Sequence, residues 1–268
     1  MHVAQPVETS PILGLLAPLR GRWSAPLALG FTAVILGFGL WETVVALDHA
    51  SAVGQVGGDL AMYLQATQRF LGGGSFYLPQ HVAAPYVLSG DAILYPPTTI
   101  PLFAAFLFLP SALFWLVPIV VIGWVVAQHR PTPWAWPLLA ECLVYTPTVV
   151  KVVHGNPVMW VAAAVALGTL YRWPAVFVLL KPSVAPFALL GAGHRSWWAA
   201  LGASVVSGLL LAPLWIDYLS VLLNARGPLA SPLYSLGDVP LLLVPVIAWV
   251  ASERRFGRVP EKLIGVTA

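Results

Sequence analysis

From Pro26 to Leu47 the chain reads PLALGFTAVILGFGLWETVVAL, an apolar run whose one charged side chain is Glu42. Wound as a helix, some twenty apolar residues match the ~30 Å hydrocarbon core of a bilayer. The run exceeds the roughly 7 to 15 residues of a signal-peptide core, so it reads as an uncleaved first span. In hydrocarbon every backbone N–H and C=O must be paired within the protein, which restricts the chain to helices or a closed barrel. Similar runs recur, and only 9% of the 268 residues are charged, against about 25% in a soluble domain. The fold class expected is an all-α polytopic membrane protein embedded in a lipid bilayer. The net charge of +3 is too small for nucleic acid, which is not expected as a partner, and the basic residues serve as topology markers.

Charge placement orders the spans. The segment Asp48 to Tyr95 holds Asp48, Asp59 and Asp91 against one basic residue, Arg69, and a loop poor in Lys and Arg belongs outside. Pro97 to Pro110 is apolar but broken by prolines and is read as lying in the outer interface. Ser111 to Gln128 then crosses inward, Trp134 to Val150 outward, and Pro157 to Tyr171 inward. Two short helices meet at Lys181-Pro182, Trp197 to Trp215 crosses outward, Asp217 to Asp238 forms a second outer loop, and Val239 to Val250 returns. This arrangement of about eight spans keeps Arg20, Arg22, Arg130, Arg172, Arg195, Arg254, Arg255, Arg258 and Lys262 inside. If Pro97 to Pro110 crossed fully, Arg130 and Arg172 would move outside, which fits the positive-inside bias less well. Residues 1–25 and 252–268 are expected as cytoplasmic tails, and 26–251 as one membrane domain with an outer loop at 48–110. The cell membrane, a bacterial cytoplasmic membrane, is the location expected.

The most polar part of that loop is Gly57 to Tyr77. After Asp59, the residues Leu60, Tyr63, Leu64, Thr67, Phe70 and Leu71 recur at spacings of three and four, with Gln65, Gln68 and Arg69 opposite. This predicts an amphipathic helix of roughly four turns, stopped by Gly72-Gly73-Gly74, that lies on the membrane or roofs a site.

Few residues carry chemistry. Asp59 is the first carboxylate of interest, although an Asp there also suits a helix cap. Lys181, in the middle of an apolar run, must snorkel, pair or line a wet cavity; Glu141 or a helix-end carbonyl are the partners considered. In His154-Gly155-Asn156-Pro157, Asn156 suits a cap with Pro at the first helical position, and His154 has no assigned duty. No HExxH, Cys pair, Gly-rich phosphate loop or GxSxG elbow is present. The single Cys142 offers neither disulfide nor thiolate site. Neither metal nor cofactor is expected.

Four segments in order, GGDLAMYLQATQRFLGGGSFY, YPPTTIPLFAAFLFLP, HGNPVMWVAAAVALG and VFVLLKPSVAPFALL, resemble the polyprenol-phosphate-sugar-dependent glycosyltransferases of the GT-C superfamily, in particular the family 87 mannosyltransferases. They match, respectively, an acidic first outer loop with a juxtamembrane helix, a Tyr-Pro-Pro interfacial segment, a Gly-Gln or Gly-Asn helix start, and a Leu-Lys-Pro hairpin. The resemblance covers roughly residues 28–215. It implies a GT-C-like bundle and inverting transfer of a hexose, mannose in this family, from a polyprenyl-phosphate-linked sugar to a hydroxyl of a glycolipid or glycan acceptor outside the membrane. Asp59 would be the general base. Lys181 would stabilise the departing phosphate, with His154, Asn156 and Tyr95 contacting the donor. Family members run longer after the position of Asp238, which implies a membrane-protein partner completing the acceptor site. The alternative is a non-catalytic partner subunit or a small transporter.

Overall fold

The computed structural model describes residues 24–83, 92–225 and 236–252. Arg20, Arg22, Asp91, Arg226 and the basic residues after Ser252 lie outside the described residues, as do most of the two expected tails. The protein is all-helical. Among the described residues the only bridge of β type joins Pro131 and Ser252.

Helix α1 (Ser24–Ala52) is longer than its expected span. Most of its surface is exposed, including Leu29, Phe31, Val34, Phe38 and Trp41, as befits a helix whose solvent is lipid. A short turn then leads into α2 (Gly58–Leu71), which has Gly57 at its N-cap and Gly72 at its C-cap. Leu60, Tyr63, Ala66 and Thr67 form its buried stripe. Arg69 clamps the glycine turn that follows: Nε donates to Ser75 O at 2.7 Å and Nη2 to Phe76 O at 3.0 Å.

After α3 (Pro79–Val82), the prolines at 96 and 97 start a 3-10 turn that leads into α4 (Ile100–Phe106). At about 1.5 Å per residue, Pro97–Phe106 is some 15 Å long and does not span a bilayer by itself. It packs against α2, where the rings of Tyr63 and Phe103 stack with centroids 4.6 Å apart.

Helix α5 (Ala112–His129) is apolar throughout. The segment expected to cross as Trp134 to Val150 is not one straight helix. It divides into α6 (Trp136–Val144), preceded by a 3-10 turn, and α7 (Thr146–Val153), with a 55° bend between the halves. Tyr145 leaves helical geometry with ψ 119 and stands as the N-cap of the new helix, a position that is non-helical by nature. Gly39 of α1 allows close approach here, since an added Cβ would overlap Val144.

Helix α8 (Val158–Tyr171) is the centre of the bundle. Val158, Met159 and every residue from Val161 to Ala166 are buried, so protein encloses most of the helix, and Trp160, Leu167, Leu170 and Tyr171 keep the exposure it has. It packs against α5 and the two arms of the Lys181-Pro182 hairpin. Those arms are 3-10 helices, Trp173–Leu180 and Pro182–Gly191, with Lys181 as the extended elbow between them.

The crossing expected at Trp197 to Trp215 is also corrected. Helix α9 (Arg195–Leu209) and α10 (Ala212–Ala225) meet at 91°, and α10 runs on through residues assigned to the second outer loop. Gly208 O accepts the Leu211 amide at 3.0 Å and also Trp215 Nε1 at 3.0 Å, a bond that ties the start of α10 to the end of α9 across the bend. Last, α11 (Val239–Val250) packs on α8, α6 and α5. Among the described residues two helices are long and apolar enough to cross a membrane, or four if each bent pair is one span.

Candidate functional site

Asp59 lies in the first turn of α2, where the helix dipole favours a carboxylate. It does not cap the helix: Gly57 holds that position with φ 68, and no side chain caps it. The exposed amides are taken up by the C-terminal end of α7. Gly57 N donates to Val153 O at 3.0 Å and Asp59 N to His154 O at 2.9 Å.

This end-to-end docking needs Gly155. Its φ is +70, and an added Cβ would lie 2.8 Å from Trp115 Cζ2 and 3.1 Å from Leu60 Cβ. Trp115 is itself held by a 2.7 Å bond from Nε1 to Val152 O. The turn therefore delivers Asn156 directly to Asp59.

Asn156 Nδ2 donates to Asp59 Oδ2 at 2.6 Å. Its Oδ1 accepts two hydrogen bonds, from Tyr95 Oη at 3.0 Å and from Val158 N at 3.0 Å. The second of these is the helix-starting role expected for Asn156. Among the described residues Asp59 Oδ1 has no hydrogen-bond partner.

Tyr95 is buried and fixed at several points. Tyr77 Oη donates to its carbonyl at 2.7 Å, and Tyr63 packs edge-on with centroids 5.4 Å apart. Burial, and then the charges of Asp238 and Asp59, push its phenol well above the usual tyrosine range. Tyr95 therefore keeps its proton and acts as a donor. On the ring's face, Lys181 Nζ stands 5.2 Å from the centroid.

Lys181 pairs with Asp238, not with Glu141. The distance from Nζ to Asp238 Oδ2 is 2.8 Å, and Lys151 Nζ engages the other oxygen, Oδ1. The Asp238 carboxylate is fully buried, whereas the lysine side chains are 15% and 22% exposed. Oδ2 makes no aligned hydrogen bond, so its contact with Lys181 is an ion pair held by charge alone. Glu141 is exposed and lies elsewhere, in a groove of about 370 Å³ with Val34, Phe38 and Tyr145.

Four of the five sequence-predicted site residues, Asp59, Asn156, Tyr95 and Lys181, thus join one set of contacts. The fifth, His154, contributes its carbonyl. Sequence reasoning missed Asp238 and the pairing role of Lys151, although both had been placed on the same face as Lys181. A sharper signal was available: buried lysines need carboxylates, and Asp238 stands immediately before an apolar run, as Asp59 does. Among the described residues no three His, Cys, Asp or Glu side chains converge into a metal-binding group.

Comparison with protein families, curated proteins and solved structures finds no match to this chain.

Proposed function

We propose that the protein is an inverting membrane glycosyltransferase that moves a hexose, mannose by the resemblance noted above, from a polyprenyl-phosphate donor to an acceptor hydroxyl. One observation carries the reading: Asp59, Asn156, Tyr95 and Lys181, drawn from four separate stretches of sequence, meet in one continuous polar path. Asp59 Oδ1 takes the proton of the acceptor hydroxyl. The hydroxyl oxygen bonds to the anomeric carbon from the side opposite the phosphate, and the bond to the phosphate oxygen breaks with its electron pair leaving on that oxygen. Lys151 and Lys181 both stand on Asp238 at the end of this path, and fixed cations favour an anionic leaving group in a poorly hydrated site.

The reading includes a GT-C-like bundle of about eight crossings. That number is reached when α8 and α11 cross together with the longer ones and the two short hairpin arms are counted as a pair that enters the membrane and returns. The termini are cytoplasmic and the polar path faces outward in this arrangement.

A second reading, a non-catalytic partner subunit or a small transporter, is favoured by a different observation. Lys181 is already matched by Asp238 and Asp59 by Asn156, as in a network that only holds helices together. The two bent helix pairs are also what a transporter would use.

The test is transfer of labelled sugar from polyprenyl-phosphate-mannose in membranes containing wild type, Asp59→Asn or Lys181→Ala at matched protein levels. Transfer by wild type, abolished in Asp59→Asn, supports the enzyme. Silence of wild type with mannose, glucose and arabinose donors alike, or full activity of Asp59→Asn, overturns it in favour of the second reading.

A further inference from the structure

We propose that Asn156 is a positioning residue: its side-chain amide is locked in one orientation so that it holds Asp59 Oδ2 and leaves Oδ1 as the proton-accepting oxygen. The inference rests on the reading of Asp59 as the base. An asparagine amide can turn over, exchanging its oxygen and nitrogen. Here it cannot do so without loss. Oδ1 receives both the Tyr95 phenol and the Val158 amide, and a turned amide would point its own N–H groups at those two donors. The remaining direction for Nδ2 is the carboxylate, 2.6 Å away. The Val158 amide can only donate, so it fixes this orientation, and the Tyr95 phenol adds a second donor to the same oxygen.

A donor fixed on one oxygen does two things. It favours the charged form of the carboxylate, and it makes the two oxygens unequal. The other groups that bear on Asp59 are the phenols of Tyr63 and Tyr95, both of which sense its charge, and His154, whose carbonyl binds the Asp59 amide. Farther along the path lie Lys181, Asp238 and Lys151. His154, two residues before Asn156 and bonded through its carbonyl to the Asp59 amide, has its contribution separated by substitution.

The experiment follows modification of Asp59 by dicyclohexylcarbodiimide, which reacts with the protonated carboxyl, as a function of pH in the full chain in membranes. The product is read by peptide mass spectrometry beside sugar transfer. In wild type, labelling falls as pH rises. Asn156→Ala, which removes the donor on Oδ2, moves that fall to higher pH, and Asn156→Asp, which sets a second carboxylate against the first, moves it further. Tyr95→Phe, which removes one of the two donors on Asn156 Oδ1, moves it in the same direction by less. The Asn156→Ala shift persists in a His154→Gln background. In transfer assays Asn156→Ala lowers kcat and leaves the donor KM near its wild-type value. An unshifted labelling profile in Asn156→Ala overturns the positioning role, whatever the transfer assay gives. If Asn156→Ala does not accumulate, an unshifted profile in Tyr95→Phe does the same. A shifted profile in a protein that transfers no sugar leaves the orientation standing and removes the transferase.

Discussion

Lys181 Nζ lies 2.8 Å from Asp238 Oδ2, on a carboxylate with no solvent exposure. With Lys151 on the opposite oxygen, one acid balances two amines that come from α7 and from the hairpin elbow.

Removing that acid exposes the cost. Asp238→Ala leaves two largely buried lysines facing each other, and breaking a buried pair costs about 3–5 kcal/mol. Thermal unfolding in detergent should show a large loss for Asp238→Ala. Replacing all three charges, Lys151→Met, Lys181→Met and Asp238→Leu, should recover most of it. A triple variant as unstable as the single one would show that packing, not charge, dominates here.

Gly155→Ala combines a positive φ with overlap on Trp115 and Leu60, and is expected to destabilise by about 1–3 kcal/mol. Gly123→Ala, on α5 with nothing within 4 Å of the added carbon, should be neutral or stabilising by up to about 1 kcal/mol. Equal melting temperatures for the two variants would count against the close approach of α2 and α7.

Alkaline stability follows from the tyrosines. The folded-state values of Tyr63 and Tyr95 are raised above 10.0, burial being the main cause. The folded protein therefore holds protons that the unfolded chain releases, so their contribution is intact below pH 10 and is lost as pH climbs above it. Tyr95→Phe keeps the ring beneath Lys181 and removes one such proton. Its stability should fall less steeply with pH above 10, and an identical slope in chemical unfolding would refute the assignment.

Arg69 is expected to guard the glycine turn. Arg69→Ala releases Ser75 and Phe76 carbonyls and should hasten cleavage within 72–75 by a non-specific protease. Arg69→Lys should not restore protection, because an ammonium lacks the guanidinium fork that spans two carbonyls. Wild-type resistance in either variant would mean that the turn is held by other contacts.

Much of the helix pattern was legible in the chain. The three-and-four spacing after Asp59 and the glycines after Leu71 gave the limits of α2, and a lysine beside a proline marked the hairpin elbow. The bend after Leu209 was not legible. It falls among apolar leucines, and the bond that ties its two sides, from the Trp215 indole back to Gly208, is not marked by any spacing in the sequence. The bend at Tyr145 left a trace in Pro147, but prolines open many of the described helices while Pro118, Pro186 and Pro245 lie inside one, so a proline alone does not say where a span bends. Asp238 was visible only as the end of a loop, since its partners Lys151 and Lys181 reach it through the fold and not through spacing.

The junction between α7 and α2 has a mechanical consequence. With Val153 and His154 carbonyls bonded to the amides of Gly57 and Asp59, the two helices act as one jointed strut whose knuckle is Gly155. A tilt of the broken α6–α7 pair is delivered as a displacement of Asp59 at the strut's far side of the joint. Helix α2 cannot slide without pulling on that joint. Motion of the bent pair and the position of the carboxylate are thereby geared together.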